Sequence, residues 1–142
     1  KTKKIALFGA THTVVSLVEK KFIDKKFNIC LAIDGFQEDQ VYIDALNSAD
    51  VDVVLLGMGM PKQELLSIKI KDNVNKPLLV INGGAIIDFL SNTLPRAPKW
   101  MRAIGLEWLF RLFLEPKRMW KRYVVGNINF LSRAVYYKLI GK

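Results

Sequence analysis

The hydrophobic positions of this chain fall into short runs that stop at glycine, each followed by a stretch with helical spacing. Ile5-Ala6-Leu7-Phe8 stops at Gly9, and Val14, Val15, Leu17, Val18 and Phe22 then recur at helical intervals. Asn28 to Ile33 stops at Asp34-Gly35-Phe36, and Glu38 to Asn47 carries Val41, Tyr42, Ala45 and Leu46. Val51 to Leu56 stops at Gly57-Met58-Gly59-Met60, and Pro61 to Lys71 offers Leu65, Leu66, Ile68 and Ile70 to a core. Leu78 to Ile81 stops at Asn82-Gly83-Gly84, before a helix start over Ala85 to Leu90. Continuous apolar runs of this length mark strands buried on both faces. Successive strand-then-helix units call for a parallel sheet with right-handed crossovers. The expected fold class is α/β, a Rossmann-like parallel sheet of about four strands with flanking helices, followed by a helical C-terminal appendage.

After Leu94-Pro95-Arg96-Ala97-Pro98 the alternation stops. Ile104, Leu106, Leu109, Phe110, Leu112, Phe113 and Leu114 give an apolar helical face, Pro116 starts a new helix, and Asn127 to Lys142 is a further amphipathic helix. The predicted division is residues 1–95 as a sheet domain and 96–142 as a basic amphipathic appendage. Charge sharpens this boundary: residues 1–95 carry eleven Lys or Arg against eleven acids, and residues 96–142 eleven against two. The whole net charge of +9 therefore belongs to the tail, which also holds Trp100, Trp108 and Trp120. Aromatic residues interleaved with arginine suit a membrane interface. They also suit nucleic acid, or a solvated basic face over a small core. Exposed apolar surface on such a tail points to a homo-oligomer or a bilayer partner without choosing between them. No apolar stretch approaches the roughly 18 residues of a membrane span. Cys30 is the single cysteine and permits no intrachain disulfide. The chain begins without Met and almost at once with a strand, as a fragment or trimmed piece would.

In an open parallel sheet, ligands bind beyond the carboxyl ends of the strands. Gly9, Asp34, Gly57, Gly59, Gln63, Gly83, Gly84 and Asp88 all fall on that rim. Pro61 suits a first helical turn and places Lys62, Gln63 and Glu64 there, with free backbone N–H groups over the strand end. That is a place for an anionic or polar ligand; two glycines serving turn geometry alone is the competing reading. Thr11 and His12 either meet a ligand phosphate or cap the helix and lie on the surface. Asp34 either takes a ribose hydroxyl or closes a turn with Gly35. Asp88 accepts the imide N–H of a uracil-like base or caps a local turn. The dinucleotide fingerprint is absent, since only Gly9 stands where three glycines are needed. Arg111, Arg118 and Arg122 would share one stripe of a continuous helix.

Five motifs occur in order: Gly57-Met58-Gly59-Met60-Pro61-Lys62-Gln63-Glu64; Gly83-Gly84-Ala85 with Asp88-Phe89; Arg96-Ala97-Pro98; Gly105-Leu106-Glu107-Trp108 with Arg111-Leu112; and Glu115-Pro116-Lys117-Arg118 with Arg122-Tyr123. Together they resemble the WecG/TagA/CpsF family of bacterial glycosyltransferases over essentially the whole chain. The resemblance implies inverting, metal-independent transfer of a sugar from a UDP-sugar to an undecaprenyl-diphosphate-linked acceptor. N-acetylmannosamine is one sugar the family moves in cell-wall and surface polysaccharide synthesis. The partners implied are the UDP-sugar donor, the lipid-linked acceptor and the cytoplasmic membrane surface, with peripheral attachment to the inner face. Nucleic acid, a cofactor and a metal site are not implied.

Carried onto this chain, the resemblance gives Gln63 the sugar hydroxyls and Asp88 the uracil ring. Arg111, Arg118 and Lys121 neutralise diphosphate charge as UDP leaves, which is what cationic side chains must do where no metal-holding Asp-x-Asp motif is present. Thr11, Asp34, Gly57, Gly59, Lys62, Glu64, Gly83 and Gly84 complete the substrate site, and Trp100, Trp120, Arg122 and Arg133 meet the membrane. Family members also have a longer N-terminal half carrying the proposed catalytic carboxylate, and nothing here corresponds to it. Lys121 stands where arginine is common, Ser91-Asn92 replaces a glycine, and Phe36 is the nearest substitute for an aromatic often found near Ile33. Asp34 and Glu64 are candidates for a general base by position only. The alternative is a catalytically inactive nucleotide-sugar-binding or regulatory module.

Overall fold

The computed structural model of the chain describes residues 2–117 and 126–140. The chain divides into two compact units, Lys1–Pro95 and Arg96–Lys142. In the first, strands β1 (Lys4–Gly9), β2 (Asn28–Ile33), β3 (Val53–Gly57) and β4 (Leu79–Asn82) form a parallel sheet in the order β2-β1-β3-β4. Helices α1 (His12–Asp24), α2 (Asp39–Ser48), α3 (Lys62–Asn73) and α4 (Ile86–Ser91) each follow one strand. This is the parallel α/β architecture that the apolar runs predict.

The pairing of β1 with β3 runs from Ile5 opposite Val53 to Gly9 opposite Gly57. Because side chains alternate along a strand, Ala6, Phe8, Val54 and Leu56 share one face. There they pack with Tyr42, Ile43 and Leu46 of α2 and Leu66 and Ile70 of α3. Leu7 and Leu55 point the other way, against Val15 and Val18 of α1 and Ile87 of α4. Each large apolar side chain buried in this way contributes about 1.5–3 kcal/mol over exposure. The two central strands, covered on both faces, are the fixed part of the unit.

Helix α3 departs from the expected packing. Leu65 and Ile68 are exposed, and Gln63 turns inward with Leu66 and Ile70. The three inward positions are spaced i, i+3 and i+7, one side of a helix, so the geometry of the turn outweighs the polarity of Gln63.

The chain passes from β1 to β2 on one side of the sheet and then returns past β1 to β3 on the other. Between β1 and β3 the winding reverses, with α1 on one face and α3 on the opposite one. In an open parallel sheet such a reversal is the place where ligands bind, beyond the carboxyl ends of the strands.

The second unit contains α5 (Lys99–Ala103), α6 (Glu107–Leu114) and α7 (Gly126–Ile140). Gly105, with φ +75°, turns the chain between α5 and α6. Helix α6 stops at Leu114, and Pro116 and Lys117 are helical again, so the expected break at Pro116 falls at Glu115. Trp100, Ile104, Trp108 and Phe113 are exposed around α5 and α6, as are Phe130, Tyr136 and Tyr137 on α7. Among the described residues no helix is long and apolar enough to cross a membrane.

Candidate functional site

The rim glycines serve two different ends. At Gly9, φ +146°, a Cβ would lie 2.3 Å from the Gly57 carbonyl oxygen. A Cβ at Gly57 would lie 2.7 Å from the Ile87 side chain, and one at Gly83 2.3 Å from Ile86 Cγ2. These three positions are closed by packing. Gly59 (φ +76°) and Gly84 (φ +61°) adopt left-handed turns, but a Cβ at either meets nothing within 4 Å. They face open space at the rim, where a ligand can approach the backbone.

The loop after β2 is braced from several sides. Asp34 Oδ1 accepts from Phe36 N at 2.9 Å and Oδ2 from Gln37 Nε2 at 2.8 Å. These two bonds, the Gln37 one first, hold its carboxyl below the usual carboxylate range. The Tyr42 hydroxyl donates to Asp34 O at 2.7 Å and accepts from Gln37 N at 3.1 Å. Burial pushes its pKa up to about 12. Gly35 N donates to Ala10 O at 2.8 Å, tying this loop to the end of β1. Lys62 Nζ reaches across from α3 and donates to Gly35 O at 2.9 Å and Gln37 O at 3.1 Å. Lys62, expected to meet the ligand, is therefore a clip between two rim loops. Asp34 is the side chain that closes the Asp34-Gly35 turn. The Phe36 side chain is 76% exposed at the tip of this rigid loop.

Thr11 caps α1: its Oγ1 accepts from Val14 N at 3.4 Å. His12 is exposed in the first turn. The Asp88 carbonyl accepts from Ser91 Oγ, Thr93 Oγ1 and Leu94 N, so the turn at Ser91-Asn92 is held by these hydroxyls.

Gln63 is 4% exposed, the buried polar residue of the described core. Its Oε1 accepts from Gly84 N at 2.9 Å and its Nε2 donates to Glu64 Oε1 at 2.8 Å. It links the turn after β4 to the first turn of α3. Glu64 Oε2 is sealed from solvent and has no hydrogen-bond partner, the one such buried side-chain oxygen or nitrogen among the described residues.

In the second unit Arg111 NH2 lies 3.4 Å from Glu107 Oε1, one helical turn away on α6. Trp100 is 63% exposed on α5, and Arg133 is exposed on α7. Arg118, Trp120, Lys121 and Arg122 lie outside the described residues. What the sequence did not disclose is the bracing role of Tyr42 and Gln37. A tyrosine on the apolar face of α2 is the trace it leaves, because a buried hydroxyl requires a partner.

Residues 1–142 match the Glycosyl transferase WecG/TagA/CpsF family throughout. The chain belongs to this family. The chain is similar to the N-acetylglucosaminyldiphosphoundecaprenol N-acetyl-beta-D-mannosaminyltransferase of Bacillus subtilis (strain 168), 34% identical over 125 residues. The match covers 86% of this chain and 48% of the relative, so the chain spans about half that protein's length.

Proposed function

We propose that this WecG/TagA/CpsF chain binds a UDP-sugar, N-acetylmannosamine being the sugar named in its relative, for transfer to an undecaprenyl-diphosphate-linked acceptor. The observation that carries the reading is the rim between β1 and β3. There the winding reverses; beside it Gly59, after β3, and Gly84, after β4, leave the backbone open while Gly9, Gly57 and Gly83 are packed shut. Such a reversal takes nucleotides in parallel α/β sheets. Membership of a glycosyltransferase family, and a relative named as a mannosaminyltransferase, support a nucleotide that bears a sugar.

In this reading Asp88 takes the uracil imide and the rim glycines give the diphosphate room. The acceptor hydroxyl attacks the anomeric carbon from the face opposite the leaving group and yields its proton to a base. The bond from that carbon to the diphosphate oxygen breaks, and UDP departs with the electron pair. Arg111, Arg118 and Lys121 offset the charge that develops on the departing diphosphate. Trp100 and Arg133, both exposed, together with Trp120 and Arg122 rest on the inner membrane surface where the lipid-linked acceptor resides. Two copies of the chain meeting through this apolar surface is the other arrangement that would cover it.

A nucleotide-sugar-binding module without turnover is the second reading, and one observation favours it. Asp34, a positional candidate for the base, has both oxygens engaged in its own turn and is held below the usual carboxylate range, which makes it a poor proton acceptor. Thermal melting with UDP, paired with an assay for sugar transfer to a polyprenyl-diphosphate acceptor, tests both. Protection with transfer supports the enzyme, protection without transfer supports the module, and no protection removes both.

A further inference from the structure

Helix α6 does not run on into the residues after it. Pro116 has no N–H to give the Leu112 carbonyl four positions back, and Glu115, with φ −131° and ψ 63°, leaves helical geometry. The chain is helical again at Pro116 and Lys117. At this break lies a cavity of about 620 Å³, lined by Leu112 and Phe113 before it and by Pro116 and Lys117 after it. That volume falls within the roughly 300–1,000 Å³ of small-molecule sites. Phe113, Pro116 and Lys117 are exposed, so the cavity stands open to whatever approaches the second unit.

The lining sorts the ligands that fit. Three of its four side chains are apolar, and a sugar or a free nucleotide held against them would lose water without replacement. Hydrocarbon loses nothing there, and two or three buried methylene groups improve binding by roughly tenfold or more. The fourth side chain is Lys117, whose ammonium offers a phosphate a point charge with three donors. The surroundings carry the same sign, since residues 96–142 hold eleven bases and two acids, of which Glu107 pairs with Arg111. An apolar wall that includes one cation suits an amphiphile with a hydrocarbon chain and an anionic phosphate head. A flat apolar face rests on many bilayer lipids at once, whereas a cavity takes one chain at a time. Arg111 and Arg118, which the proposed function sets against diphosphate charge, bracket the four lining residues in the sequence.

We propose that this cavity holds the head-proximal part of the acceptor's polyprenyl chain, with Lys117 against the phosphate to which that chain is joined. The assignment rests on the lipid-linked acceptor of the proposed function and adds four residues to those given to the membrane contact. It separates the holding of one particular lipid from adhesion to the bilayer as a whole.

The test is calorimetric binding of farnesyl phosphate and of inorganic phosphate to the 142-residue chain and to Phe113→Ser, Lys117→Gln and Phe130→Ser. All three positions are exposed, so none of the substitutions removes a buried contact, and Phe130 on α7 is not part of the lining. We expect the parent to prefer farnesyl phosphate by about tenfold or more. Phe113→Ser should lower that preference about fivefold. Lys117→Gln should weaken both ligands about threefold and leave their ratio unchanged, and Phe130→Ser should stay within about twofold of the parent. Vesicles of equal negative charge, with phosphatidylglycerol alone or with part of it replaced by a polyprenyl phosphate, separate the two sources of a lipid chain. About threefold more protein should float with the second kind, and Phe113→Ser should remove the difference. Equal recovery on both kinds assigns the cavity to bilayer lipid and overturns the proposal. It is also overturned by a parent that binds the two phosphates alike, or by Phe130→Ser being as damaging as Phe113→Ser. These failures with thermal protection by UDP intact leave the nucleotide-sugar reading standing. Loss of that protection with farnesyl phosphate still preferred removes the nucleotide-sugar reading and leaves the lipid site.

Discussion

Replacing Gly9 by alanine tests the arrangement of the rim most severely. The new Cβ would sit 2.3 Å from Gly57 O and 2.4 Å from Gly57 C, backbone atoms that no side-chain rotation can move aside. Forcing extra volume into a packed site costs about 1–3 kcal/mol. Holding alanine at φ +146° adds strain of roughly 1–3 kcal/mol. Reduced freedom of the unfolded chain returns up to about 1 kcal/mol, leaving a net loss of roughly 1–6 kcal/mol, centred near 3.5. Gly84→Ala is the control. Its φ of +61° is also left-handed, but the added methyl meets nothing within 4 Å. The expected loss there is about 1 kcal/mol from the backbone alone. Urea unfolding followed by far-ultraviolet circular dichroism measures both. At roughly 4–8 °C per kcal/mol for a domain of this size, thermal melting should separate the two variants by about 5 °C or more. A Gly9→Ala protein within 1 kcal/mol of the parent, or a Gly84→Ala protein equally damaged, would refute the distinction between closed and open rim glycines.

Lys62→Met removes both bonds to the loop after β2, and the expected cost is about 1–3 kcal/mol. Amide hydrogen exchange should show Gly35 and Phe36 losing protection while the strands keep theirs. Tyr42→Phe deletes a hydroxyl that both donates and accepts, for about 1–2 kcal/mol near neutral pH. The raised tyrosine pKa gives this interaction a direction with pH. The phenol is protonated in the folded state up to about 12 but would ionise near 10 when unfolded, so its stabilisation is complete below pH 10 and fades between 10 and 12. Denaturant titrations at pH 9 and 11.5 should show the parent losing more stability than Tyr42→Phe. In liposome flotation with anionic lipid, the whole chain should rise with the vesicles and a form ending at Pro95 should stay behind; equal recovery would remove the membrane assignment.

The sheet was readable because its strands are uninterrupted apolar runs stopped by glycines, a pattern set by local chemistry. Val53–Gly57 and Leu79–Asn82 fall within one or two residues of the predicted runs at Val51–Leu56 and Leu78–Ile81. The Thr11 cap and the Asp34 turn were likewise visible as alternatives to ligand contact, since each uses a bond within three residues. The roles of Lys62 and Gln63 were not visible. Their partners, Gly35, Gln37 and Gly84, are 21 to 27 residues away in the chain and come together only through the order β2-β1-β3-β4. The inward turn of Gln63 was missed for a related reason. A polar residue between Lys62 and Glu64 reads as surface until the helix phase is fixed by Leu66 and Ile70. Two residues of the reading, Arg118 and Lys121, lie outside the described residues, and their assignment rests on the motif order.

Where β1 and β3 finish, Gly9 and Gly57 touch through main-chain atoms, and neither carries anything beyond its α-carbon. The middle of the rim is thus written in peptide groups. Under the proposed function, what tells one cargo from another comes from the flanks, where Phe36 stands exposed. Preference could then be altered by exchanges along the border while the floor, and the stability it confers, stays as it is.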